Sequence, residues 1–119
     1  MRVLVVDDDE GARDSFYSFF QSAGHRCRTA RAGIEALEVL ETYHPDPVVA
    51  DQNMPGMSGI ELIRHIRTEY PELNEKVILV SAQPLNLSDL QYVTELQIDR
   101  VIKKPIQGLE LRRILNLNR

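Results

Sequence analysis

Short apolar runs alternate with longer amphipathic stretches along the chain. Apolar, valine-rich runs lie at residues 3–6, 47–50, 77–80 and 101–102, and a weaker, more polar run lies at 26–30. Each run is the length of one β-strand. Between the runs, apolar residues recur at helical spacing, and in the first such stretch they are Ala12, Phe16, Phe19, Phe20 and Ala23. The pattern predicts five strands, each followed by a helix.

Several residues mark where the predicted helices begin and end. Gly24 is a suitable stop for the first helix. Ser58 and Glu61 form an S-x-x-E capping box, which predicts a helix that starts there and continues until Pro71. A shorter helix is predicted over residues 87–96. The apolar stripes of the second and last helices consist of Ile34, Leu37 and Leu40, and of Leu111, Ile114 and Leu115.

The alternation of strands and helices predicts an α/β fold. Five strand–helix units favour a doubly wound parallel sheet with right-handed crossovers and helices on both faces. The first, third and fourth strands are almost wholly apolar, as expected where helices cover both faces of a sheet. We therefore expect residues 1–119 to form a single domain.

Composition narrows the class of protein further. Hydrophobic residues make up 43% of the 119 residues and charged residues 27%, which is typical of a globular domain. The net charge of −4 argues against direct nucleic-acid binding, and no apolar run is long enough to cross a membrane. The single cysteine, Cys27, cannot form an internal disulfide. These features favour a cytoplasmic protein, with Cys27 as a small, half-buried strand residue.

Reactive residue types follow four of the predicted strands. Asp7 and Asp8 follow the first strand, Asp51 the third, Ser81 the fourth and Lys104 the fifth. Parallel strands present their carboxyl ends at one edge of the sheet, where ligands of open α/β folds bind. Clustered carboxylates repel one another, and a hard cation such as Mg²⁺ relieves that repulsion. A carboxylate bound to Mg²⁺ can also accept a phosphoryl group.

Four segments together resemble the receiver domain of two-component response regulators, a CheY-like family. These segments are VLVVDDDE, VVADQNMPGMSG, VILVSAQ and VIKKP, each at the end of the expected strand and in the family's order. The resemblance covers essentially the whole chain. It implies a flavodoxin-like sheet with strand order 2-1-3-4-5 and a phosphorylation-dependent signalling switch that uses Mg²⁺.

The resemblance also implies roles for the acidic residues. Asp51 matches the phosphorylated aspartate. Asp7 and Asp8 match the metal-binding acidic pair, with Asp8 and Asp51 as direct ligands and Asp7 acting through water. The backbone carbonyl of Asn53 would complete the protein ligands. Asp9, the next acid in the chain, is interpreted instead as a helix cap.

Further roles are implied for residues after the fourth and fifth strands. Ser81 matches the switch hydroxyl, and Lys104 matches the family's lysine, whose bond to Pro105 is usually cis. Gln83 lies two residues beyond Ser81, as Asn53 lies two beyond Asp51, at positions that tune autodephosphorylation in the family.

Val101 departs from the family pattern. The family commonly has Tyr or Phe three residues before the lysine, and the ring turns inward when the domain is phosphorylated. Valine has few rotamers and cannot reproduce this movement. The hypothesis is that readout depends instead on the loop after Ser81 and on the fourth helix, which Pro84 is expected to make less regular.

The implied partners are a sensor histidine kinase or phosphotransfer protein and a downstream effector domain or protein. A small phosphodonor is an alternative source of the phosphoryl group, and a homodimer is a further expectation. Turnover of an external substrate is not expected. Two other functions stay open: an interaction module that works without phosphorylation, and a Mg²⁺-dependent aspartyl phosphohydrolase. The sequence shows no output domain. We expect either a regulator that works without one or a receiver domain removed from a longer protein.

Overall fold

Five strands and five helices alternate in the computed structural model, which describes residues 1–71, 76–106 and 108–116. The strands are β1 (Arg2–Val6), β2 (Arg26–Ala30), β3 (Pro47–Asp51), β4 (Lys76–Ser81) and β5 (Arg100–Lys103). The helices are α1 (Glu10–Ser22), α2 (Gly33–Leu40), α3 (Gly59–Glu69), α4 (Leu87–Glu95) and α5 (Gly108–Leu115). Every strand and helix predicted from the hydrophobic pattern is therefore present.

The strands form one parallel sheet in the order β2-β1-β3-β4-β5. This is the expected flavodoxin-like fold, and the winding reverses between β1 and β3. Val6 of β1 pairs with Ala50 of β3, so the next residues, Asp7 and Asp51, are level with each other at the carboxyl edge. Open α/β sheets bind ligands at this reversal.

Two apolar layers cover the two faces of the sheet. Alternate residues of β1, β3 and β4 point to opposite faces, as the two-residue period of a strand requires. One face packs on α2 and α3, and its buried helical residues include Leu40, Leu62, Ile63 and Ile66. The other packs on α1 and α5, and its buried helical residues are Phe16, Phe20 and Ile114. Cys27 lies on β2 as predicted, but at 7% exposure it is buried in this second layer rather than half-buried, because it packs among the apolar residues of α1 and β1.

The start of α3 differs in detail from the predicted capping box. The Ser58 hydroxyl accepts a hydrogen bond from the Glu61 N–H at 3.2 Å, as predicted. The Glu61 carboxylate, however, accepts from that same hydroxyl at 3.4 Å rather than from the backbone of Ser58. The box is therefore half formed. At the other end, α3 stops at Glu69, because the residue before Pro71 is disfavoured in the helical region.

The prediction that Pro84 makes the fourth helix irregular is wrong. Pro84 lies in the loop before α4, which begins at Leu87. A complete capping box defines that start, because the Asn86 side chain accepts from the Asp89 N–H at 2.8 Å and Asp89 accepts from the Asn86 N–H at 3.4 Å. Proline is accommodated here because it precedes the helix.

Candidate functional site

Three acids from two neighbouring strands meet at the carboxyl edge of the sheet. One carboxylate oxygen each from Asp7, Asp8 and Asp51 lies within 4.8 Å of the others. Asp7 is 1% exposed and Asp51 5% exposed, whereas Asp8 is open to solvent. The convergence expected from the parallel strand order is therefore present. The three residues form an acidic cluster with one solvent-facing member.

Gly59 allows α3 to begin directly on the strand that carries Asp51. A Cβ atom at this position would lie 2.6 Å from the Asp51 carbonyl oxygen and 2.7 Å from a Leu79 methyl carbon. Real Cβ atoms do not approach backbone oxygen this closely, so any larger residue would displace the helix from the strand. The glycine thus holds the first turn of α3 beside the acidic cluster.

Lys104 supplies a positive charge to two of the acids. Its Nζ atom lies 3.0 Å from Asp7 Oδ2 and 3.5 Å from Asp51 Oδ2, and its side chain is 25% exposed. The Lys104 N–H donates to the Ser81 carbonyl at 2.9 Å, and the bond between Lys104 and Pro105 is cis. Burial lowers the pKa of Lys104, but the hydrogen bond and charge of Asp7, followed by those of Asp51, outweigh it and raise the pKa overall.

Asp51 carries a charge that the surrounding residues only partly balance. Burial and the nearby Asp7 raise its pKa, against the lowering effects of Lys104 and of the Asn53 N–H, which donates to Asp51 Oδ1 at 3.4 Å. The charge on this buried carboxylate is therefore costly in the absence of a further cation. Oxygen ligands with excess negative charge suit Mg²⁺, so the residues present fit the ion that the fold family implies.

The remaining predicted residues surround this centre. Ser81 is 3% exposed at the end of β4, and its hydroxyl interacts with the backbone of Gln83. Asn53 and Gln83 are both solvent exposed at the rim. Asp9 is a helix cap as interpreted, because its carboxylate accepts from the Ala12 N–H at 2.8 Å. The catalytic, metal-binding and rate-tuning roles of these residues stay predictions.

Val101 lies 43% exposed on β5, beside a small cavity. The cavity measures about 180 Å³ and reaches the buried Ser81, and its lining also includes Gln83, Pro84, Leu85, Ile102 and Lys103. The short valine side chain thus leaves open space between the strand edge and the loop that follows β4.

A larger concave surface of about 520 Å³ lies on the other side of Lys104. It is bounded by α1 and by the segment between β5 and α5, with Phe16, Ala82 and Ile106 among its lining residues. This mainly apolar cavity therefore lies next to the acidic cluster, because Lys104 contributes to both.

Two residues that sequence reasoning did not assign contact this site. Arg13 of α1 donates through Nη1 to the Asp7 carbonyl at 2.8 Å, and Gln52 bonds to the first turn of α3. A cation one turn into a helix is unusual next to the positive end of the helix dipole. The unusual position of Arg13 in the sequence could therefore have indicated that its charge contacts a group near the start of α1.

Residues 3–116 match the response regulator receiver domain family. The chain belongs to this family. Receiver domains are components of two-component signalling systems that act as phosphorylation switches, and they bind Mg²⁺ at an acidic pocket. The resemblance noted in the sequence is therefore confirmed.

Curated relatives include proteins much longer than this chain. The receiver domain is 32% identical over 108 residues to Regulator of RpoS of Escherichia coli K12, covering 91% of this chain and 31% of that protein. It is 36% identical over 117 residues to Sensor histidine kinase RcsC of the same strain, covering 98% of this chain and 12% of that protein. The chain thus spans about a third or less of these relatives, and the activity of a whole protein does not follow from them.

Solved structures agree with the fold. A CheY-like receiver domain protein from Methanospirillum hungatei superimposes with a TM-score of 0.87 at 25% identity, covering 96% of this chain and 89% of that one. Response regulator TrrA from Thermotoga maritima, solved in complex with Mg(2+)-BeF, gives a TM-score of 0.82 at 32% identity, covering 96% and 95%.

Proposed function

We propose that this receiver domain accepts a phosphoryl group on Asp51 and changes conformation in response. The observation that carries the proposal is the meeting of Asp7, Asp8 and Asp51 oxygens within 4.8 Å, with Lys104 Nζ 3.0 Å and 3.5 Å from two of these acids. This arrangement combines a buried carboxylate nucleophile, further acids for a cation and a fixed positive charge at one sheet edge.

Four residues are assigned to hold Mg²⁺. Asp8 and Asp51 would bind it directly, Asp7 would act through water, and the backbone carbonyl of Asn53 would complete the protein ligands. When bound, Mg²⁺ neutralises negative charge on the transferring phosphoryl group. The solvent-facing position of Asp8 leaves one side of the cluster open to a phosphodonor.

The chain's own residues carry the transfer step. A carboxylate oxygen of Asp51 forms the new bond to phosphorus while the bond from phosphorus to the donor atom breaks, and its electron pair leaves with the donor. Lys104 stabilises the negative charge that spreads over the phosphoryl oxygens. The Ser81 hydroxyl donates a hydrogen bond to one of these oxygens after transfer. Gln83 and Asn53, at the rim, control how water reaches the product.

The proposed donor is a histidine kinase or phosphotransfer protein, or a small acyl phosphate. The proposed recipient of the signal is an effector domain or partner protein. Hydrolysis of the phosphoryl group from Asp51 restores the starting state, and no external substrate other than the phosphodonor is turned over. Among the residues that the structure describes, no helix is both long and apolar enough to span a bilayer. We propose a cytoplasmic setting, as two-component phosphotransfer requires a shared compartment with the donor.

Phosphorylation of the intact chain tests the proposal directly. Incubation with acetyl phosphate and Mg²⁺ should add the mass of one phosphoryl group, as measured by intact mass spectrometry. The adduct should be absent in Asp51→Asn and after chelation of Mg²⁺. An adduct that persists in Asp51→Asn would place the chemistry on another residue, and no adduct on the wild-type chain would contradict the proposal.

The exposed Val101 favours one alternative, an interaction module that keeps the fold without using phosphorylation. Valine at this strand edge lacks the aromatic ring by which receiver domains commonly report phosphorylation. Calorimetric titration with beryllium fluoride and Mg²⁺ separates the two functions. Binding of this phosphoryl mimic supports the switch, whereas failure to bind it, together with no phosphoryl adduct, supports the module.

A further inference from the structure

Gln52 forms three hydrogen bonds that join β3, β4 and α3. Its N–H donates to the Val80 carbonyl at 2.8 Å, and its own carbonyl accepts from the Gly59 N–H at 3.2 Å. Its side-chain Oε1 accepts from the Ile60 N–H at 2.9 Å. The residue after the phosphoacceptor is therefore tied to the neighbouring strand and to the beginning of the next helix.

The two N–H groups that Gln52 binds have no acceptor within their own helix. Gly59 and Ile60 are the first two residues of α3, and the first four N–H groups of any helix lack intrahelical partners. Ile60 is 3% exposed, so water cannot readily replace the amide oxygen of Gln52. The side chain thus satisfies a buried donor eight residues ahead in the chain.

These bonds close the loop of residues 53–58, which begins with Asn53. Gln52 is the residue between Asp51 and Asn53, two of the residues assigned to Mg²⁺. Its backbone and side-chain bonds fix the direction in which the chain leaves β3, and Asn53 follows immediately. A backbone carbonyl can serve as a metal ligand only if its peptide plane is held in place, because carbonyl ligands are directional.

We propose that Gln52 is a positioning residue for the Mg²⁺ site. Its side-chain amide oxygen anchors the start of α3 so that the peptide of Asn53 keeps its carbonyl available to the ion. Gln52 itself is not a ligand and does not contact the phosphoryl group. This inference rests on the proposed function, since it takes the carbonyl of Asn53 as a ligand.

Ser58 provides a matched control at the same helix end. Its hydroxyl accepts from the Glu61 N–H at 3.2 Å, so it also caps α3 with one side-chain acceptor. Unlike Gln52, it lies at the far end of the loop from Asp51 and bonds only within the helix end. Removing either side-chain acceptor weakens the same helix. Only the acceptor of Gln52 belongs to the residue that precedes Asn53, so only its removal loosens the chain there.

The test compares Mg²⁺ affinity in four variants by isothermal titration calorimetry on the full chain. Gln52→Met keeps the side-chain length without an acceptor, and Gln52→Asn keeps the amide but shortens the side chain, so both should raise the Mg²⁺ Kd about 10-fold or more. Gln52→Glu retains an acceptor and should bind Mg²⁺ at least as tightly as wild type. Ser58→Ala should leave the Kd within about 3-fold of wild type.

Amide exchange checks that the bond from Ile60 to Gln52 is lost, and phosphorylation kinetics provide a readout that helix stability alone would not move. The Ile60 amide should exchange faster in Gln52→Met and Gln52→Asn than in Ser58→Ala. With acetyl phosphate, the Mg²⁺ concentration for half-maximal rate should rise while the rate at saturating Mg²⁺ stays near wild type. Equal losses of Mg²⁺ affinity in Gln52→Met and Ser58→Ala would overturn the inference, as would an unchanged Kd in both Gln52→Met and Gln52→Asn.

The wild-type titration separates this inference from the proposed function. If wild type binds no Mg²⁺ and forms no phosphoryl adduct, the proposed function fails. If wild type binds Mg²⁺ and is phosphorylated while Gln52→Met and Gln52→Asn behave as wild type, only the positioning role of Gln52 fails.

Discussion

The Ser81 hydroxyl donates a hydrogen bond to the Gln83 carbonyl at 2.6 Å and accepts one from the Gln83 N–H at 3.3 Å. A hydroxyl has one proton to donate, so Ser81 cannot keep this bond and also donate to a phosphoryl oxygen on Asp51. Asp51 pairs with Val80, the neighbour of Ser81, across β3 and β4. Phosphorylation would therefore draw the hydroxyl away from Gln83 and release the loop after β4.

Ser81→Ala should uncouple this loop from the phosphoryl group. In wild type, beryllium fluoride with Mg²⁺ should increase amide exchange in residues 82–86, because the bond to Gln83 is given up. In Ser81→Ala the mimic should still bind, but exchange in the loop should already be fast and should change little on binding. Hydrogen exchange followed by mass spectrometry measures both states.

Ser88→Ala is the control for this experiment, because Ser88 lies exposed on α4. It should respond to the mimic as wild type does. A loop whose exchange is the same with and without the mimic in the wild-type chain would contradict the coupling through Ser81.

Asp51→Asn should stabilise the domain at neutral pH in the absence of Mg²⁺. Burial and Asp7 raise the pKa of Asp51 above its unfolded value of 3.8, so its ionised form costs folding free energy. The cost is fully present above the raised folded pKa and disappears as pH falls to the unfolded value. Each unit by which the pKa is raised corresponds to about 1.4 kcal/mol. Urea unfolding at pH 7 and near pH 4 measures the difference.

The advantage of Asp51→Asn should shrink as pH falls, and Mg²⁺ should restore stability to wild type more than to the variant. Asp14→Asn removes an exposed carboxylate of α1 and serves as the control. A variant that is less stable than wild type at pH 7 would show that hydrogen bonds to the carboxylate outweigh its burial and repulsion.

Lys104→Met should destabilise the domain at pH 7 by about 2 to 3 kcal/mol. Breaking a buried ion pair costs about 3 to 5 kcal/mol, and the partial exposure of Lys104 reduces that figure. The pKa of Lys104 is raised, so its stabilisation is complete below the unfolded value of 10.5 and is lost as pH rises through the folded value. Chemical denaturation at pH 7, with and without Mg²⁺, measures the loss.

Mg²⁺ should recover part of that stability, since it brings positive charge to the same acids. Lys103→Met is the matched control, because Lys103 is the adjacent residue and lies exposed on β5. An equal loss in the two lysine variants would mean that the contacts of Lys104 with Asp7 and Asp51 contribute nothing specific.

The fold and the meeting of the acids could be predicted because they follow from patterns that are local in the chain. The apolar run that ends at Asp51 predicts both a buried strand and the residue at its carboxyl end. Parallel strands bring their carboxyl ends together at one edge of the sheet. The contacts of Ser81 with Gln83 and of Gln52 with Ile60 could not be predicted in the same way. They depend on side-chain rotamers and on the path of a loop, for which the sequence carries no periodic signal. The prediction for Pro84 is wrong because the capping box of Asn86 and Asp89 starts α4 beyond the proline, which therefore does not distort the helix.

Helix α4 packs on the core through the partly buried side chains of Tyr92 and Val93, and arginine side chains of α3 hold it from outside. All nine residues of α4 are described, and none is fully buried. Arg67 of α3 donates through Nε to the Leu96 carbonyl at 2.9 Å and through Nη2 to the Gln97 carbonyl at 3.1 Å. These carbonyls lie at the negative end of the α4 dipole, where a cation is favourable. Arg64 adds a cation–π contact, with Cζ 4.5 Å from the ring centroid of Tyr92.

Arg67→Met should therefore loosen α4 without unfolding the sheet. Two hydrogen bonds from a charged donor are lost at the helix end, and local opening of α4 should become easier by about 1 to 2 kcal/mol. Native-state hydrogen exchange should show faster exchange for amides of α4 and unchanged exchange for β1 and β3. Arg112→Met on α5 is the control. If Arg67→Met speeds exchange equally in α4 and the sheet, the arginine stabilises the whole domain, and α4 does not open as a separate unit.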